Sequence, residues 1–166
     1  MHWPSAIMAV VTDRRLLSRL LPLAQASHPL PTVAVTIMTT LLIAGAGNSV
    51  STCVVGAIAV LSGQLSIGWS NDAIDAHRDV AVRRPDKPVA SGAVSPGVVM
   101  RAAGLAAVVT VPASLALGWR AGVVHLVGVA CGWLYNLALK STWLSAVPFA
   151  IAFGGLPAVA TLALPD

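Results

Sequence analysis

No charged residue lies between Arg19 and Asp72. Roughly a quarter of a soluble domain's residues carry charge, so a segment this long without any has no water-facing surface to offer. In lipid, every backbone N–H and C=O must find its partner within the protein, and an uninterrupted apolar run of this kind folds as helices. The run is long enough for two spans of about 20 residues each, with Gly45-Ala-Gly-Asn48 as the turn between them. The rest of the chain agrees: 57% of its 166 residues are hydrophobic and only 10% are charged.

The charges divide the chain into spans. The first is expected near Thr32–Ala46, its start biased by Pro29 and Pro31, and the second near Val50–Ser70. Arg101 to Arg120 encloses a third, Ala121–Leu139 forms a fourth, and Trp143–Leu164 a fifth, with Pro148 and Pro157 placed to kink it. The expected fold is an all-α polytopic transmembrane bundle of about five spans. Arg14, Arg15 and Arg19, then Arg78, Arg83, Arg84, Lys87 and Arg101, then Lys140 fall on one side, against Arg120 on the other. The excess of Lys and Arg sets the cytoplasmic side. The N-terminus and the segment between the second and third spans are therefore expected in the cytoplasm of a multi-pass protein, in a bacterial plasma membrane.

Residues 1–22 read as a basic amphipathic segment on the inner leaflet, through Arg14-Arg-Leu-Leu-Ser-Arg-Leu-Leu21. Their charges follow the apolar Met1–Val11 stretch instead of preceding it, which argues against a signal peptide. Trp69, Trp119, Trp133 and Trp143 sit near span ends, as interfacial belt residues do. Gln64 and Ser66 are expected to hydrogen-bond between helices. Cys53 and Cys131 read as small buried hydrophobes, and the four histidines share no metal-binding spacing. The basic residues are scattered among spans, which excludes a nucleic-acid surface.

Function points to one place. Four of the six carboxylates, Asp72, Asp75, Asp79 and Asp86, lie within fifteen residues, directly after an apolar span. On a helix, Asn71, Asp75 and Asp79 project at about 0°, 40° and 80°, and Asp72 at about 100°. These oxygen-bearing side chains share one arc, while His77 points away. Clustered like charges repel. Mg²⁺ resolves that, because it is a hard cation held by one or two carboxylates together with waters and substrate phosphates. The run Arg83-Arg-Pro-Asp-Lys-Pro-Val-Ala-Ser-Gly92 adds three cations within five positions, suited to the phosphate oxygens a metal leaves free. A solvated loop of paired charges is the plainer alternative.

Asn71-Asp-x-x-Asp-x-x-x-Asp79 followed by Arg84-Pro-Asp-Lys-Pro-Val-Ala-Ser-Gly92 closely resembles the first aspartate-rich motif and following loop of the UbiA family of intramembrane prenyltransferases. Tyr135-Asn-Leu-Ala-Leu-Lys140 is similar to the family's Tyr-to-Lys segment at the end of its fourth helix. The resemblance covers about Leu23 to Leu164, a UbiA-like domain over residues 23–164. It implies an all-helical enzyme that moves a prenyl chain from a polyprenyl diphosphate to an aromatic, lipid or quinone-precursor acceptor. By the same resemblance, Asn71, Asp72, Asp75 and Asp79 are metal ligands, with the three aspartates catalytic. Asn71, Arg84, Lys87, Tyr135 and Lys140 bind the diphosphate.

Two departures shape the expectation. The family's second aspartate-rich motif follows its sixth helix, and these 166 residues do not contain it. The fold is therefore expected to be the incomplete, N-terminal portion of a UbiA-type bundle, or a short form needing a second subunit. Many members also have Arg-Pro at the start of the first helix, where an Arg helps position an aromatic carboxylate. Here the pair is His28-Pro29, so that acceptor does not carry over, and His28 reads as an interfacial residue. A non-catalytic prenyl-diphosphate binder and half of a transporter stand as alternatives.

Overall fold

The structure, a computed structural model, describes residues 14–163. Of the expected amphipathic segment 1–22, residues 1–13 lie outside them. Six helices follow one another: α1 (Arg14–Ala26), α2 (Pro29–Gly45), α3 (Val50–Ala81), α4 (Pro96–Leu115), α5 (Trp119–Leu134) and α6 (Ala146–Leu162). A π-helical turn, Tyr135–Leu139, extends α5. No strand occurs among the described residues.

The boundaries follow from local chemistry. Ser49 caps α3, accepting a hydrogen bond from the Thr52 N–H, and Ser95 caps α4 through the Val98 N–H, with Pro96 at its first position. α4 thus begins and ends about five residues earlier than the arginines suggest. α2 starts at Pro29, because His28 takes a left-handed conformation (φ 54°) and interrupts the helix between Ala26 and Pro29. The axis bends by 65° there. The second expected span and the acidic segment prove to be one continuous helix of 32 residues, α3.

Three helices are long and apolar enough to cross a membrane: α3, α4 and α5 with its π turn. The bent pair α1–α2 makes a fourth if it counts as one span. The fifth expected span falls on α6, an apolar helix of 17 residues that is shorter than these. Large apolar side chains such as Leu30, Val50 and Leu105 face outward, as lipid contact requires.

α3 is the hub. It packs against α2, α4 and α5, and α6 closes the far side by touching α2 and α5. The buried core is built from small side chains, including Ala59, Ala121 and Ala163 near one end and Ala26, Ala76 and Val99 near the other. Without a hydrophobic drive between helices in lipid, close backbone approach supplies the attraction. Gly68 shows this directly. A Cβ built there would lie 2.3 Å from the Ser27 carbonyl oxygen, which is backbone and cannot swing aside. Gly68→Ala would gain about 1 kcal/mol of helix propensity against roughly 1–3 kcal/mol of overpacking. The expected outcome is a lower melting temperature for the detergent-solubilised protein.

The four tryptophans expected at span ends divide. Trp119 and Trp143 are largely exposed, as belt residues would be, whereas Trp69 and Trp133 are half-buried and make specific bonds. Trp69 Nε1 donates to the Leu23 carbonyl (2.8 Å), pinning α1 to α3. Trp133 Nε1 donates to Ser66 Oγ (3.2 Å), so the expected interhelical bond of Ser66 exists. Gln64 makes none among the described residues and instead faces an internal groove.

Candidate active site

The bend between α1 and α2, the aspartate-bearing end of α3, the segment 82–95 and the π turn after α5 meet at one end of the bundle. α3 ends in a tight stop. The Arg84 N–H bonds the Asp79 carbonyl (2.9 Å) and the Arg83 N–H bonds that of Val80 (3.1 Å), with Arg83 left-handed at φ 52°. Glycine usually fills this position. An arginine backbone held there, like His28 across the cavity, marks strain that clusters at functional sites.

A polar cavity of about 370 Å³ opens between these parts, lined by His28, Asn71, Asp75, Arg78, Asp79, Arg84, Lys87, Tyr135 and Lys140. Seven of the eight residues expected from the sequence line it. Asp72, the eighth, stands behind its wall with a side chain only 1% exposed. Lys87 Nζ donates to Asp72 Oδ1 at 2.5 Å, and His28 Nε2 lies 3.0 Å from the same oxygen and 3.1 Å from Lys87 Nζ. Lys140 Nζ pairs with Asp75 Oδ1. Arg84 grips Asp86 through two bonds, Nε to Oδ1 (3.0 Å) and Nη2 to Oδ2 (2.8 Å). The hydrogen bond from Arg84 holds the Asp86 carboxyl down at about 2, and Asp86 in turn raises the Arg84 guanidinium. Both therefore stay charged at any physiological pH.

The π turn explains how two distant-looking residues share the cavity. In a regular α-helix Tyr135 and Lys140 would project about 140° apart. The Lys140 N–H instead bonds the Tyr135 carbonyl, five residues back, at 3.1 Å. This wider turn brings both side chains to the cavity. π turns of this kind recur at functional sites. Asn136, within the turn, is buried and fastens it to α3. Its Nδ2 donates to the Ile67 carbonyl and to Ser70 Oγ, and its Oδ1 accepts from Asn71 Nδ2, each at 2.9 Å.

A second, largely apolar cavity of about 280 Å³ runs inward between α2, α3, α5 and α6. His28, Asn71 and Tyr135 line both cavities, so the groove and the polar mouth adjoin at these three residues. Tyr135 and Phe149 stack edge to face there, with ring centroids 4.7 Å apart. The site thus offers a cationic, carboxylate-bearing mouth above a hydrocarbon-lined groove. A family model for the UbiA prenyltransferase family matches residues 21–165. The chain belongs to that family. No curated protein and no solved structure matches it.

Members of the UbiA family in general act on a prenyl diphosphate with Mg²⁺. The donor chemistry here fits such an ion. Asp75, Asp79 and Asn71 bring hard oxygens to one cavity, and one or two carboxylates are what Mg²⁺ needs when phosphate and water complete its shell. Asp72 Oδ2 is buried without a partner among the described residues. Those residues contain no group of three acids or imidazoles close enough to form a closed metal site by themselves. An ion here would therefore depend on the substrate for part of its coordination.

His28, Arg78 and Asn136 are the site residues that sequence reasoning missed. His28 stands where many relatives have arginine, and that substitution at a helix start was the available signal. Asn136 carried none.

Proposed function

We propose that this UbiA-family chain transfers a prenyl group from a polyprenyl diphosphate to an acceptor in the membrane, with the polar mouth facing the cytoplasm. One observation carries the reading: the polar mouth and the apolar groove adjoin and share His28, Asn71 and Tyr135 as lining. That adjacency matches a molecule with an anionic head and a hydrocarbon tail. In this reading Asp75, Asp79 and Asn71 hold Mg²⁺, which supplies Lewis-acid stabilisation of the leaving diphosphate.

The chain's own residues do the rest. Lys87 and Lys140 neutralise Asp72 and Asp75 when the mouth is empty and present ammonium groups to phosphate oxygens when it is filled. Arg84 and Arg78 add charge at the rim. The allylic C–O bond breaks with its electron pair leaving on the diphosphate. The acceptor bonds the allylic carbon and gives up a proton. Tyr135 and Phe149 offer π faces to the cationic carbon at the junction, and the apolar groove keeps water from capturing it.

The test is equilibrium binding of farnesyl diphosphate to the protein in nanodiscs, with and without Mg²⁺. Asp75→Ala should weaken Mg²⁺-dependent binding by about 10–100-fold. Unchanged affinity in the variant, or no dependence on metal, would sink the assignment. Tight binding with no product from any acceptor would favour a non-catalytic binder.

A further inference from the structure

About 10 Å below the mouth, by helix rise along α3 from Asn71 to Gln64, the groove stops being purely hydrocarbon. Gln64 of α3 and His125 of α5 both line it. Neither the Gln64 amide nor His125 Nε2 has a partner among the described residues. Polar groups inside a membrane protein are costly unless they bond to something, so two unpartnered ones in a single groove need an explanation.

The hydrogen bonds around His125 fix which atom it offers. Ser114 Oγ donates its one proton to the Thr110 carbonyl at 2.6 Å. Ser114 Oγ also lies 2.7 Å from His125 Nδ1, where it can only accept. Nδ1 therefore carries the proton, and in the neutral ring Nε2 is a bare acceptor. Gly63 makes room for the ring: a Cβ there would lie 3.3 Å from Cε1 and 3.5 Å from Nε2. The imidazole is locked from behind, and its acceptor atom is presented to the groove beside an amide that can donate or accept.

We propose that His125 and Gln64 form a hydrogen-bonding subsite for an acceptor substrate that carries an O–H group on an apolar body. The proposal rests on the prenyl-transfer reading for the identity of its ligand as the acceptor. A prenyl chain is hydrocarbon and has no donor for Nε2, so it is not the molecule this pair recognises. The depth sets a length as well. With its nucleophilic atom at the mouth and its hydroxyl on His125, the acceptor lies alongside the prenyl tail and spans about 10 Å of the groove they share, more than a single benzene ring.

The experiment compares two probes that differ only by a methyl group on the phenolic oxygen, on the full chain in nanodiscs. Tritiated 4-nonylphenol is displaced by unlabelled 4-nonylphenol or by its methyl ether, with protein-free nanodiscs giving the lipid background. The wild type should prefer the phenol by about tenfold, the size of one net hydrogen bond. His125→Phe should remove the preference, Gln64→Leu should reduce it, and Ser114→Ala, which unlocks the ring, should fall between. Equal affinity for the two probes in the wild type overturns the proposal, as does an undiminished preference in His125→Phe. If His125→Phe does not fold, Gln64→Leu decides, and an unchanged preference there overturns it. Farnesyl diphosphate binding to the same wild-type preparation is measured alongside. Its absence would overturn the prenyl-transfer reading while leaving the phenol preference readable.

Discussion

Asp72→Asn should cost more than any other single change at the polar mouth, in both stability and binding. Its carboxylate is almost fully buried, yet it is the hydrogen-bond acceptor for Lys87 at 2.5 Å and lies 3.0 Å from His28. The asparagine keeps the shape and removes the charge. Lys87, itself only 15% exposed, then has a buried ammonium without its counter-ion. Breaking one half of a buried pair costs on the order of 3 kcal/mol, enough to lower the melting temperature of the solubilised protein by several degrees. His28 loses the partner that helps hold its left-handed backbone, so the bend between α1 and α2 loosens as well. Prenyl-diphosphate affinity should fall about 100-fold, because Lys87 and His28 both line the mouth and Asp72 orients them. Lys87→Met, which removes the stranded cation, should recover part of the stability of Asp72→Asn without recovering binding. A double variant no more stable than the single one would show that Asp72 does not act through Lys87.

The parts of the structure that were legible in the sequence are those that lipid forces. A charge-free run must be helical, so α2 and α3 were placed by the interval between Arg19 and Asp72, and the acidic stripe by its fourfold spacing. Asp75, Asp79, Arg84, Lys87 and Lys140 reach one cavity because the charges of a polytopic bundle gather at its ends. What was not legible depends on tertiary geometry. Nothing in Tyr135-Asn-Leu-Ala-Leu-Lys140 announces a π turn, since the insertion is stabilised from α3 through Asn136. The one-face arithmetic for the aspartates was also too coarse: Asp72 turns toward Lys87 and His28 while Asp75 turns toward Lys140. Gln64 was expected to bridge helices as Ser66 does, but it faces the groove. Gln64 and Ser66 lie about 200° apart around the helix, and hydropathy does not tell which of the two faces a neighbouring helix.

Asn136→Leu should separate the geometry of the mouth from its charge. Leucine is close in volume, so the buried site stays filled, but three hydrogen bonds to α3 disappear. Ser70 Oγ also donates to the Ile67 carbonyl, which leaves the Asn71 amide as the main group deprived of its partner. A net loss of about 2 kcal/mol follows from the buried polar group and the lost bonds. The functional loss has a particular form. With its anchor gone, the strained π turn is free to relax to regular α-helix, which rotates Tyr135 and Lys140 apart by about 140°. Lys140 then leaves Asp75, and the mouth loses a cation without the removal of any charged residue. Farnesyl diphosphate affinity should drop about tenfold, a loss similar to that of Lys140→Met, and the two changes together should cost little more than either alone. Additive losses would mean that Asn136 supports stability only and that the π turn holds its shape without it.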